Sequence, residues 1–146
     1  MRWCGVIFLC VLILTACGGD TAPTVGTSTV FSDACAKAND GKRVAVDGYL
    51  RFPDSFTDSQ SVVLRLYEMS DFTNAPIGVQ IPFGSQANQV EKVANNFTDD
   101  DLQVHLQNGQ TAKFGTKVRV SGKVYFPLVA QEFACSLENP LVELAA

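Results

Sequence analysis

From residue 42 onward the chain alternates apolar and polar positions in short runs separated by Gly, Pro, Asn and Asp, the pattern of half-buried strands joined by turns. In residues 42–51, Val44, Val46, Gly48 and Leu50 face one way, and Ala45, Asp47, Tyr49 and Arg51 the other. A glycine in mid-strand predicts a bulge or a sharp bend. Residues 61–68 repeat the pattern, with Val62, Leu64 and Leu66 inward and Arg65 and Tyr67 outward. Residues 77–83 place Ile77, Val79, Ile81 and Phe83 inside, and Pro82 puts that run at a strand end or a sheet edge. Residues 116–126 form another strand around a central glycine, with Val118, Val120, Gly122 and Val124 on one face. Residues 131–144 are the last strand region, with a possible break at Asn139-Pro140.

Other segments have a different period. Residues 32–41 predict a short helix, with Ser32 as N-cap, Asp33 at the positive end of the helix dipole and Gly41 at the C-terminus. Its buried face would hold Ala34, Cys35 and Ala38. In residues 85–96 the apolar positions Ala87, Val90, Val93 and Ala94, continued by Phe97, follow helical spacing. Thr98-Asp99-Asp100-Asp101 reads as the cap of a turn, and Asn108-Gly109 as a hairpin turn between 102–107 and a return arm at 110–114.

The two glycine-bent strands echo one another: Gly41-Lys42-x-Val44-x-Val46-x-Gly48-x-Leu50 against Gly115-x-Lys117-Val118-x-Val120-x-Gly122-x-Val124. Five or more short antiparallel strands, a helix between the third and fourth, and bends at strand centres predict a mainly β fold, a small Greek-key barrel with one or two short helices. This resembles an OB-fold and is similar to the bacterial exported proteins grouped as tRNA_anti-like OB domains, over roughly residues 32–144. Another β-sandwich or barrel is the competing architecture. A shared fold does not carry tRNA binding with it, because function resides in the site.

The first residues belong to a separate unit. Arg2 precedes nine unbroken apolar residues, 6–14, too short to span a bilayer as a helix and of the length of a signal-peptide core. Leu14-Thr15-Ala16-Cys17 follows and resembles the lipobox of bacterial lipoproteins, in which the cysteine thiol receives a diacylglycerol and small residues admit the peptidase. The alternatives are a plain secretory signal and an uncleaved anchor. The expected organisation is a signal at 1–16, lipidated Cys17 with a flexible tether at 17–31, and a barrel domain at 32–146. The Gly- and Thr-rich tether, fully extended, would reach about 40 Å. By the same resemblance, Gly18 after the cysteine does not carry the inner-membrane retention mark of Gram-negative lipoproteins, which implies the outer membrane.

Cys4 and Cys10 leave with the signal and Cys17 carries lipid, so Cys35 and Cys135 remain. An even pair in an exported protein reads as a disulfide. It would close a loop of about 100 residues, for which the chain-entropy model gives about 4.7 kcal/mol. A redox dithiol usually has C-x-x-C spacing, and zinc needs more ligands than two cysteines and one distant histidine supply.

The chain of 146 residues carries 15 acidic and 11 basic groups, a net charge of −4, which becomes −5 once Arg2 leaves with the signal. That balance argues against a nucleic-acid partner. His105 is the single histidine, so any Ser-His-Asp or Cys-His catalysis must use it. It reads as a polar-face strand residue. No phosphate loop, dinucleotide fingerprint or metal cluster is present in the sequence. Asp99-Asp100-Asp101 lacks EF-hand spacing, so neither metal nor cofactor is implied. The candidate binding surface is the outward face of the first three barrel strands, where Tyr49, Arg51, Arg65, Tyr67 and Gln80 share parity. Aromatic rings stack on flat or sugar-like ligands, and guanidinium groups recognise anions. Ordinary cross-strand pairing is the alternative. The expected function is a lipid-anchored, non-enzymatic binding module of the bacterial envelope, holding a protein, a glycan or a small anionic ligand. The competing expectation is a structural or stress-related envelope protein acting through protein contacts alone.

Overall fold

Five of the alternating runs close into one barrel. The computed structural model describes residues 21–127 and 132–146. The expected signal at 1–16, Cys17, the first residues of the expected tether and Gln131 lie outside the described residues. In chain order the elements are β1 (Thr27–Ser28), α1 (Phe31–Ala34), β2 (Arg43–Arg51), β3 (Ser61–Tyr67), β4 (Ile77–Pro82), β5 (Gln103–His105), β6 (Thr111–Lys113), β7 (Lys117–Tyr125) and β8 (Ser136–Leu144), with short 3-10 turns at Lys37–Asn39 and Asp99–Asp101. The barrel order is β2-β3-β4-β8-β7, and β7 returns to pair with β2. Every pair in that ring is antiparallel except β4 with β8. This is the Greek-key, OB-fold-like barrel that the strand pattern predicts.

Alternation decides what fills it. Val44, Val46 and Leu50 of β2, Val62, Leu64 and Leu66 of β3, Ile77, Val79 and Ile81 of β4, and Val118, Val120 and Val124 of β7 are all buried in one core. The two strand glycines are where the wall bends. A Cβ at Gly48 would strike the carbonyl oxygen of Tyr67, and one at Gly122 would come within 2.6 Å of Leu137 Cβ. The β7–β8 register slips between Ser121 and Lys123. Asn139-Pro140 therefore bulges within a continuous β8 instead of ending it, and Asn139 takes a left-handed backbone with φ of 48°.

Residues 85–96 are not helical, contrary to the spacing. Their backbone groups bond to other segments: Val90 N–H donates to Pro82, Glu91 N–H to Gln103, and Gln89 accepts from His105. A helix would need those same groups for its own turns. Val90 is fully buried, while Ala87 and Ala94 are exposed, so the apolar spacing did not mark one packed face. This segment and the β5–β6 hairpin occupy the β4-to-β7 connection where a helix was expected. They contribute Val90, Leu102, Val104, Leu106 and Ala112 to the core. The Asn108-Gly109 turn joins β5 to β6 as predicted, and Thr98 with Asp101 forms a capping box, with Thr98 N–H donating to Asp101 Oδ2 at 2.7 Å.

The N-terminal helix is shorter than expected. Its capping position is Val30, with no side-chain cap, in place of Ser32, and Ala38 is exposed. Ala34 is buried, and the neighbouring Cys35 is bonded to Cys135 with Cα atoms 5.5 Å apart. Residues 21–30, read as part of a free tether, instead run along the barrel as a strap. β1 pairs in parallel with β2, Thr27 opposite Val44 and Ser28 opposite Ala45. Arg43 donates from Nε and Nη2 to the Thr24 carbonyl at 3.0 and 2.7 Å, and Asn139 Nδ2 donates to the Thr21 carbonyl at 3.1 Å. Ala45 has outward parity yet is 3% exposed, beside β1.

Candidate functional site

Tyr49 lies opposite Tyr67, and Arg51 opposite Arg65, so the expected neighbours are neighbours. Gln80 lies opposite Val63 on the next strand pair, with the same parity. Half of this face, however, is not free. Arg65 and Tyr67 are only 8% and 7% exposed. Both keep the outward parity expected of them and lie outside the central core cluster, but neither is open to a ligand. The covering groups come from loops that alternation within β3 cannot reveal.

Arg65 illustrates the physics. A guanidinium pressed against a sheet must keep its hydrogen-bonding capacity. It donates from Nη1 and Nη2 to the two carboxylate oxygens of Asp54, both at 3.1 Å, and from Nη2 to Glu132 at 2.8 Å. Its Nε is buried without a partner among the described residues. The hydrogen bonds to Asp54 raise the guanidinium's already high pKa, against the opposing effect of burial, so Arg65 stays charged. The same bonds hold the Asp54 carboxyl below its ordinary range. Arg65 thus ties the loop after β2 to the segment before β8. Arg51 is also engaged, donating to Asp99 at 2.7 Å, with its guanidinium 5.6 Å from the Phe72 ring. Phe72 meets Tyr67 edge-on at 5.3 Å and stacks on Phe114 at 5.2 Å. Tyr49 is half-buried.

The other half of the face is open. Gln80 is exposed, and Ser61 and Val63 are half-buried. Two clefts meet over these residues and share Ser61 and Gln80. One, of about 340 Å³, has Pro53, Phe56, Thr57 and Phe133 as walls around Val63. Phe56 is held there by stacking on Phe97 at 5.0 Å and by Phe83 at 5.3 Å. The other, of about 490 Å³, is walled by the strap at Thr21 and Pro23, by Asn88 and Gln89, and by Asn139 and Pro140 of the β8 bulge. Both volumes fall in the range of small-ligand sites. Of the five face residues expected from the sequence, Gln80 alone lines these clefts. The amide-rich wall was missed. Its signal was present in Asn139-Pro140, read as a strand break, and in Asn88, which adopts φ of 62° and is anchored by its amide to Gln107 and to Val142 N–H.

His105 is half-buried and its Nε2 lies 2.8 Å from a Glu91 carboxylate oxygen. Asp99–Asp101 cap their own turn. Among the described residues no group of three His, Cys, Asp or Glu side chains is placed to hold a metal ion, and no helix is long and apolar enough to cross a membrane. Comparison of the chain with protein-family models, with curated proteins and with solved structures gives no match.

Proposed function

We propose that the chain is a lipid-anchored, non-enzymatic binding module of the bacterial cell envelope, attached through Cys17 and binding its ligand in the open trough over Ser61, Val63 and Gln80. The observation that carries this reading is the division of the outer barrel face: one half is filled by the protein's own carboxylates and rings, and the other is left open between built walls. Attachment is supported by Leu14-Thr15-Ala16-Cys17 behind a nine-residue apolar core, and Gly18 favours the outer membrane in a Gram-negative host. Because Arg51 and Arg65 are both paired with carboxylates, a glycan or protein ligand is better supported than a small anion.

The test is capture from detergent-solubilised envelope with the mature protein, its Cys17→Ser variant and its Val63→Arg variant. Cys17→Ser should release the protein from the membrane fraction and remove the lipid mass. Val63→Arg plants a long charged side chain in the trough floor and should abolish capture while the thermal transition is kept. Unchanged membrane partitioning in the first variant, or unchanged capture in the second, would refute the corresponding half of the reading.

A further inference from the structure

The larger cleft is lined by amide, hydroxyl, alanine and proline side chains. Charged residues make up 18% of the chain, yet among the described residues none lines this cleft. Its polar groups are amides and hydroxyls, and its rim carries Pro23, Pro82 and Pro140. Amide side chains offer a donor and an acceptor together, which complements hydroxyl groups that do the same. Proline rings are rigid, so lining a site with them limits the ordering cost of binding. Several of the amides are already fixed. Asn139 donates to Thr21, Asn88 bonds Gln107 and Val142, and Gln89 Oε1 accepts from Gln86 N–H. The Gln80 amide makes no hydrogen bond among the described residues and stands exposed where the two clefts meet. The fixed amides position the wall, and Gln80 remains to meet a ligand.

One wall is the N-terminal strap, and its docking is specific. Arg43 reaches four carbonyl contacts: Nε and Nη2 on Thr24, and Nη2 on Ser121 and Asn139, the last two at 3.0 Å. It therefore joins the strap to both β7 and the β8 bulge without lining the cleft itself. Gly26 lies so close to β2 that a Cβ there would strike the Val44 carbonyl. Only a residue without a side chain lets the strap lie flat at that point.

We infer that the cleft between the docked strap and the β4–β8 wall is a binding site for an uncharged, hydroxyl-rich saccharide chain, and that the strap completes it. This rests on the binding-module reading above and names its ligand class. A phosphate or carboxylate ligand is disfavoured because the described residues of the cleft offer no cation to pair with it. A ligand of this class would be oriented by Gln80 at one end and by the Asn139-Pro140 bulge at the other, with the strap backbone closing the side.

The experiment titrates the mature, lipidated protein in detergent micelles with a β-1,4-linked tetramer of N-acetylglucosamine, and separately with a tetragalacturonate of similar length. Side-chain amide signals of Gln80, Gln89 and Asn139 are followed by 1H–15N NMR. The neutral tetramer should give saturable shifts at these amides, and the acidic one should not. Gln80→Leu should weaken binding about three- to tenfold, the loss of one hydrogen-bonding group. Gly26→Val, which alters only the strap, should weaken it about tenfold or more by undocking one wall, with the barrel's thermal transition retained. Arg43→Ala should act in the same direction. Absence of saturable shifts with the neutral tetramer, equal binding of the acidic one, or full affinity in Gly26→Val would overturn the inference. Mass measurement on the same sample separates this from the anchoring claim: an unlipidated chain that still binds the tetramer refutes the anchor and leaves the cleft standing.

Discussion

Arg65 sets the terms at the scale of single residues. Its parity was legible from Val62, Leu64 and Leu66, because strand geometry leaves no other direction for it. Its burial was not, because Asp54 and Glu132 lie 11 and 67 residues away in sequence. Its role is therefore structural. Arg65→Ala is expected to cost about 1–3 kcal/mol, in the range for breaking a buried polar network, and chemical denaturation monitored by tryptophan-independent circular dichroism checks it. The acid limb of stability follows from Asp47, Asp54 and Asp58. Hydrogen bonds lower all three carboxyl pKa values: from Arg119 to Asp47, from Arg65 to Asp54, and from the Gln60 backbone to Asp58. The unfolded chain, with aspartates near the ordinary 3.8, binds protons first as pH falls. Stability is thus fully present above that value and is lost as pH drops through the lower folded-state values. Asp47→Asn should flatten this acid limb without altering stability's pH dependence near neutrality. An unchanged acid limb would contradict the pairing with Arg119.

The strands were legible as elements because a period of two states both the conformation and the buried face. β2, β3, β4 and β7 fall within a residue or two of their expected bounds. The expected helix at 85–96 was not, because periodicity counts apolar spacing and cannot see where backbone groups bond. Here they bond to Pro82, Gln103 and His105. The glycine-centred strands carry a sharper expectation. Gly122→Ala should destabilise by about 1–3 kcal/mol through overpacking against Leu137, read as a lowered denaturation midpoint at constant m-value. The Cys35–Cys135 bond ties the segment after α1 to the start of β8 across a sequence separation of 100. Replacing both cysteines with serine should cost about 2–5 kcal/mol, and the reduced wild type should match that double variant. Equal stability of the oxidised and reduced proteins would show that the link carries none.

For the whole molecule, the docked strap changes where the barrel stands. A free tether of the expected length would let the domain rise about 40 Å from the lipid proposed on Cys17. With Thr21 held by Asn139 and Thr24 by Arg43, four residue steps separate Cys17 from the barrel surface, about 14 Å at full extension. If Cys17 carries lipid as proposed, the protein should lie close against the bilayer in neutron reflectometry, and Gly26→Val should let it stand farther off. The division of the outer face belongs to this scale too. Sequence located the face, but which half stayed open depended on loops and on the strap, whose positions are set by long-range contacts. The central claim is that the trough over Val63 and Gln80 engages a ligand in the envelope. Its most direct test is photo-crosslinking in living cells from a photoreactive residue at position 80, with position 123 on the exposed surface of β7 as control. A discrete adduct from position 80 in the membrane fraction, absent from position 123, is the predicted result; no adduct, or the same adduct from both positions, would contradict the account.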